Sequence, residues 1–77
     1  MRPEITLNEV CEVFRANRLK GNAKVLCQEI LEGRFDWAHG TIPAGSQRAV
    51  VYIYTAPFLA WLERMLGHPP AGKEMLQ

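Results

Sequence analysis

The sequence predicts a small α+β domain in the order helix, turn, helix, two-stranded hairpin, helix. Three observations carry that expectation. Apolar residues recur with a helical period in two stretches before Gly33 and in one after Tyr54. Between them the period changes to the alternation of strands, and glycine or asparagine stands where the period changes. The 77 residues carry nine Lys and Arg against eight Asp and Glu, with 48% hydrophobic and 22% charged residues, as expected of one small domain of nearly balanced charge.

The first helix opens at Thr6-Leu7-Asn8-Glu9, a capping box in which the threonine hydroxyl and the glutamate carboxylate satisfy backbone N–H groups reciprocally. Ile5 and Val10 hold the positions of a hydrophobic staple. Leu7, Val10, Cys11 and Phe14 then form one apolar face of a helix of about ten residues. The period fails over Asn17 to Asn22, a turn in which Leu19 is expected to plug into the core. Asn22 is a suitable N-cap for a second helix from Ala23 to Glu32, with Val25, Leu26, Ile30 and Leu31 as its apolar residues and Gly33 at its end.

After Gly33, Phe35, Trp37 and His39 alternate with Asp36 and Ala38, and Arg48 to Tyr54 is a β-branched and aromatic run. Both read as strands, joined by a loop of turn-forming residues from Gly40 to Gln47. Thr55 or Ala56 is expected to cap a third helix with Pro57 in its first turn and a broad apolar face ending at Gly67. Trp37, Tyr52 or Val51, Phe14, Phe58 and Trp61 are the expected core, because a lone hairpin is marginal in water unless it packs on helices. Residues 1–67 thus form the domain, and residues 68–77 read as a flexible tail. The order is that of a small winged helix-turn-helix.

Chemistry finds little footing. A chain this short buries only about 60% of its unfolded surface, which leaves little room for an enclosed active site. No nucleophile elbow, phosphate-binding loop or paired carboxylates occur in a recognisable setting. Cys11 and Cys27 fall among apolar helix residues and read as reduced structural thiols. His39 and His68 read as surface residues, and the four together lack metal-ligand spacing. The expectation is a protein with no catalytic activity, no metal, no cofactor and no small-molecule substrate. No apolar run reaches the roughly 18 residues of a membrane span, and the segment MRPEITLNEV lacks the features of a signal peptide, so a cytoplasmic location is expected.

The charge distribution says more than its total of +1. Residues 15–24 hold Arg15, Arg18, Lys20 and Lys24 with no acid, at the turn and the start of the second helix. A charge run is often only a solvated face. In a helix-turn-helix, however, this is where phosphates are clamped and where the second helix meets base edges. On that helix Lys24 and Gln28 face away from the apolar residues and are able to read guanine or adenine. Asn22 is either a reader or simply the cap of its own helix, and Gln47 and Arg48 near the hairpin tip are either a DNA-following wing or an ordinary turn. The candidate DNA-binding set is therefore Arg15, Arg18, Lys20, Asn22, Lys24, Gln28, Gln47 and Arg48. Near-neutrality implies few phosphate contacts, hence weak binding by one copy.

The opening ITLNEVCEVF, the segment EGRFDWAHG and the passage VYIYTAPFLAWL, with Tyr52-Ile53-Tyr54, Phe58 and Trp61-Leu62, resemble the excisionase family of phage and conjugative-transposon proteins. Its winged helix-turn-helix is related to the DNA-binding domain of MerR-type regulators. The resemblance spans about residues 5 to 66 and rests on core positions. It implies a cytoplasmic protein of a prophage or other mobile element that binds double-stranded DNA beside a recombination site. There it would act in several cooperative copies and steer a tyrosine recombinase towards excision, or regulate transcription. The chain is less basic than that family. From another class, the scaffold would serve protein–protein interaction without DNA, using its aromatic hairpin or third helix.

Overall fold

In the computed structural model, which describes residues 1–77, the chain runs β1 (Glu4–Ile5), α1 (Leu7–Ala16), α2 (Ala23–Leu31), β2 (Ala38–Thr41), β3 (Val50–Tyr54), α3 (Thr55–Leu66) and a closing 3₁₀ turn, Lys73–Leu76. The α+β class is as expected. The capping box forms: Glu9 N–H donates to the Thr6 hydroxyl at 3.2 Å, and Thr6 N–H donates to Glu9 Oε1 at 2.9 Å. The Asn22 side chain caps α2 by accepting from Val25 N–H at 3.2 Å.

The sheet corrects the two-stranded expectation. It has three antiparallel strands in the order β1-β3-β2, with Ile5 opposite Ile53 and Glu4 opposite Tyr54. Two residues are too few to show an alternating pattern, so the sequence alone does not reveal β1. β2 begins later than expected, at Ala38, because Phe35 and Trp37 turn into an aromatic cluster with ring centroids 4.5 Å apart. Arg48 and Ala49 lie in the loop before β3. The cap of α3 is also different. Tyr54 takes that position without a side-chain bond, while Thr55 is buried inside the first turn and gives its backbone N–H to Pro3 O at 3.0 Å. A backbone acceptor supplied by the start of the sheet thus replaces a side-chain cap.

One core joins all of these elements. Val10, Cys11, Val13 and Phe14 of α1 meet Leu26 and Ile30 of α2, Ile53 of β3, and Phe58 and Leu62 of α3, with Trp37 fully buried among them. Val51 is half-buried and faces the helices, whereas Tyr52 is 41% exposed on the other side of the sheet. Leu19, expected inside, is 38% exposed. Cys11 is buried, which pushes its thiol pKa up, and Cys27 is half-buried and likewise free.

The flexible tail is the largest departure. Leu76 is 0% exposed and belongs to the core, and Pro70 and Gly72 are buried. The Asn17 carboxamide holds the segment at Ala71 with both of its polar atoms: Nδ2 donates to Ala71 O at 2.9 Å and Oδ1 accepts from Ala71 N–H at 2.8 Å. Arg2 N–H donates to Leu76 O at 3.3 Å. HPPAGKEMLQ has no periodic pattern, so its docking depends on an α1 surface that only the tertiary fold creates.

The capping box also sets a pH dependence. Arg2 hydrogen-bonds and pairs with Glu9, and together with the Thr6 backbone N–H it holds the Glu9 carboxyl below the usual carboxylate range. A carboxyl depressed in the folded state adds stability above its unfolded pKa and loses it as pH falls through the folded value. Thermal melts of the wild type are therefore expected to fall on acidification through that range. Glu9→Gln should melt lower at neutral pH and show a smaller acid-dependent fall.

Candidate nucleic-acid interface

The turn between α1 and α2 is built by backbone geometry. Leu19 N–H donates to Phe14 O at 2.8 Å and Arg18 N–H to Arg15 O at 3.0 Å, around Arg18 in the left-handed region at φ 61. This is a Schellman motif with arginine at the residue where glycine is usual. α2 ends in the same pattern, with Gly33 at φ 75 and Arg34 N–H donating to Glu29 O at 3.1 Å. The left-handed conformation costs a side-chain-bearing residue about 1 kcal/mol or more, a cost that Gly33 avoids and Arg18 bears. Gly21 then passes so close to α1 that an added Cβ would lie 2.6 Å from Cys11 O. Only a residue without a side chain lets the elbow close there.

The sequence-selected residues fall into two groups. Arg15, Arg18, Lys20, Asn22, Lys24 and Gln28 belong to the α1–α2 unit, while Gln47 and Arg48 lie in the exposed loop Ile42–Ala49. Within the first group, Arg15 braces the turn by donating from Nη2 to Gly21 O at 3.0 Å, and the Asn22 oxygen is committed to its cap. Arg18, Lys20 and Lys24 are exposed. The ion pairs of the chain are Arg2 with Glu9 and Arg34 with Glu32, so none of these three cations meets a carboxylate. In the loop, the Ser46 hydroxyl accepts from Arg48 N–H at 3.0 Å, which fixes the backbone beneath that side chain. α2 packs against β2 and β3, so the base of the hairpin is fixed to the second helix.

The acids on α2 are partly accounted for. Glu32 accepts from Arg34 Nε at 2.6 Å and from Gln28 Nε2 at 3.2 Å, and these bonds, that of Arg34 foremost, lower its pKa. Gln28 is thus partly engaged within its own helix. Glu29 is half-buried and borders an open groove of about 450 Å³ whose walls include Phe14, Phe35 and Trp61, with Lys20 and Val25 also on it.

Two features are not legible in the sequence pattern. Val25, grouped there with the apolar face, is 53% exposed beside Lys24. On the outer face of the sheet, His39 stands 5.1 Å from Tyr52 and 5.6 Å from Tyr54, ring centre to ring centre, and all three are exposed. No group of three or more His, Cys, Asp and Glu side chains is placed to hold a metal ion, and no helix is long and apolar enough to cross a membrane. Comparison with known proteins gives no matching family model, no matching curated protein and no matching solved structure.

Proposed function

We propose that the protein binds double-stranded DNA through the α1–α2 elbow and the exposed face of α2, in a winged helix-turn-helix arrangement whose wing is the Ile42–Ala49 loop. The observation that carries this reading is the set of three exposed cations without a carboxylate partner, Arg18 and Lys20 in the turn and Lys24 in the first turn of α2. Phosphates would be held by these cations and by Arg48. The N-terminal end of α2 has no acid in its first turn, so its dipole also favours phosphate. In line with the resemblance to excisionases, the protein would serve a mobile element as an architectural factor in recombination, or as a small transcriptional regulator. Several copies would bind together because each makes few phosphate contacts.

Arg18 gives a test that separates function from folding. Arg18→Gly removes the left-handed strain and is expected to raise stability by about 0.5–1 kcal/mol. The same change should weaken duplex binding by up to about fivefold, the range of an exposed ion pair. Lys24→Ala should weaken binding similarly and leave the melting temperature nearly unchanged. Fluorescence anisotropy with labelled duplexes, paired with thermal melts, reads both quantities. A stabilised Arg18→Gly protein with unaltered DNA affinity would contradict the assignment of the elbow.

A second reading is favoured by a different observation, the exposed His39, Tyr52 and Tyr54 on the outer sheet face. Tyrosine buries large area at little entropic cost and is enriched at protein interfaces. Under this reading Tyr54→Ala would abolish binding to a protein partner while the elbow variants would not.

A further inference from the structure

We infer that Val25 is a base-reading residue of this protein, selecting thymine through its C5 methyl group. The inference rests on the DNA-binding reading above. Val25 is 53% exposed on a nine-residue helix whose buried residues are Leu26 and Ile30. A β-branched side chain gains little from such a place, since it lowers helix propensity and leaves apolar surface in water. It shares one shallow depression of about 310 Å³ with Lys24, Gln28 and Glu29. Positions 24 and 25 form one tier and 28 and 29 the next, about 6 Å further along the helix axis.

The chemistry of the first tier is specific. The major groove displays the thymine methyl as a mark that no other base carries, and an aliphatic side chain complements it. Lys24 stands beside Val25 and holds a phosphate at the edge of the groove, while Val25 meets the methyl group. In the second tier Gln28 is drawn to Glu32, with Nε2 to Oε2 at 3.2 Å, so its reach towards a base competes with an intrahelical bond. Duplex DNA is the occupant that fits this face, because Arg18, Lys20 and Lys24, three cations without partners, outnumber Glu29, the one acid that lines the depression.

The test uses the full chain and a duplex enriched by it from a randomised pool. Each thymine of that duplex is replaced in turn by deoxyuridine, which removes one methyl group and nothing else. One replacement is expected to weaken wild-type binding about fourfold, the effect of a single buried methyl group. Val25→Ala, which keeps the helix and shortens an exposed side chain, should show a smaller deoxyuridine penalty at that position than the wild type. Lys24→Ala should weaken both and retain the difference between them. If no replacement affects the wild type, if the enriched duplex has no thymine in its core, or if Val25→Ala keeps the full deoxyuridine penalty, the role of Val25 is overturned while DNA binding stands. If no duplex is enriched and none binds with a salt-dependent affinity, the DNA-binding reading itself fails.

Discussion

Trp37→Ala is expected to lower the midpoint of the thermal transition by about 12–40 °C. The side chain is fully buried at the meeting point of every layer, with ring centroids 4.5 Å from Phe35, 4.9 Å from Phe58 and 5.3 Å from Trp61. Removing a buried aromatic of this size costs about 3–5 kcal/mol, because the cavity it leaves refills only partly. A domain of this length is expected to hold only roughly 4–12 kcal/mol in all. The loss therefore takes between about a quarter and all of that stability. Trp37→Phe is expected to keep the fold: it preserves much of the volume, and the Trp37 Nε1 it removes is buried without a hydrogen-bond partner. Circular dichroism melts of the two variants check the difference. A cooperative transition near the wild-type temperature in Trp37→Ala would show that the aromatic cluster is not the centre of the core.

The second large effect lies in the last residues of the chain. Leu76→Ala is expected to cost about 2–5 kcal/mol, the range for a large aliphatic side chain removed from a core. Leu76 is 0% exposed and packs in the same cluster as Val13. Asn17→Ala should destabilise by a smaller amount, since it unties both hydrogen bonds to Ala71 and one to Val13 O at 2.8 Å. If residues 68–77 were a frayed tail, both substitutions would leave the melting temperature unchanged. Urea denaturation of Leu76→Ala decides between these outcomes, with the midpoint falling at similar slope if the segment docks as described.

The legible parts of the fold are those with local causes. The capping box at Thr6 and Glu9, the cap at Asn22 and the glycine after α2 are fixed by neighbouring residues, and each is found where the pattern places it. The parts that escaped depend on distant partners. β1 exists because Ile53 and Tyr54 are available to pair with it, and Thr55 needs no side-chain cap because Pro3 O accepts its N–H. Leu76 is an isolated apolar residue in sequence and becomes core only where α1 offers it a surface.

The candidate site divides in the same way. The acid-free run from Arg15 to Lys24 is visible in composition, but the roles within it are not. The structure ties Arg15 to Gly21 O, holds Arg18 in a left-handed conformation and leaves Lys20 and Lys24 free. Helical periodicity misplaces Val25 because six hydrophobic residues in nine allow two choices of inner face, and packing against β2 and β3 selects the one that exposes it.

The most direct measurement of the central claim is the salt dependence of duplex binding. Each phosphate neutralised contributes a slope of about −0.9 in log affinity against log salt. Arg18, Lys20 and Lys24 together should give about −2.7 per bound copy, and about −3.6 if Arg48 joins them. The Lys24→Ala protein should show a slope smaller by about 0.9. A slope near zero for the wild type, or one unchanged when Arg18, Lys20 and Lys24 are all replaced by alanine, would contradict the elbow as the DNA-binding surface.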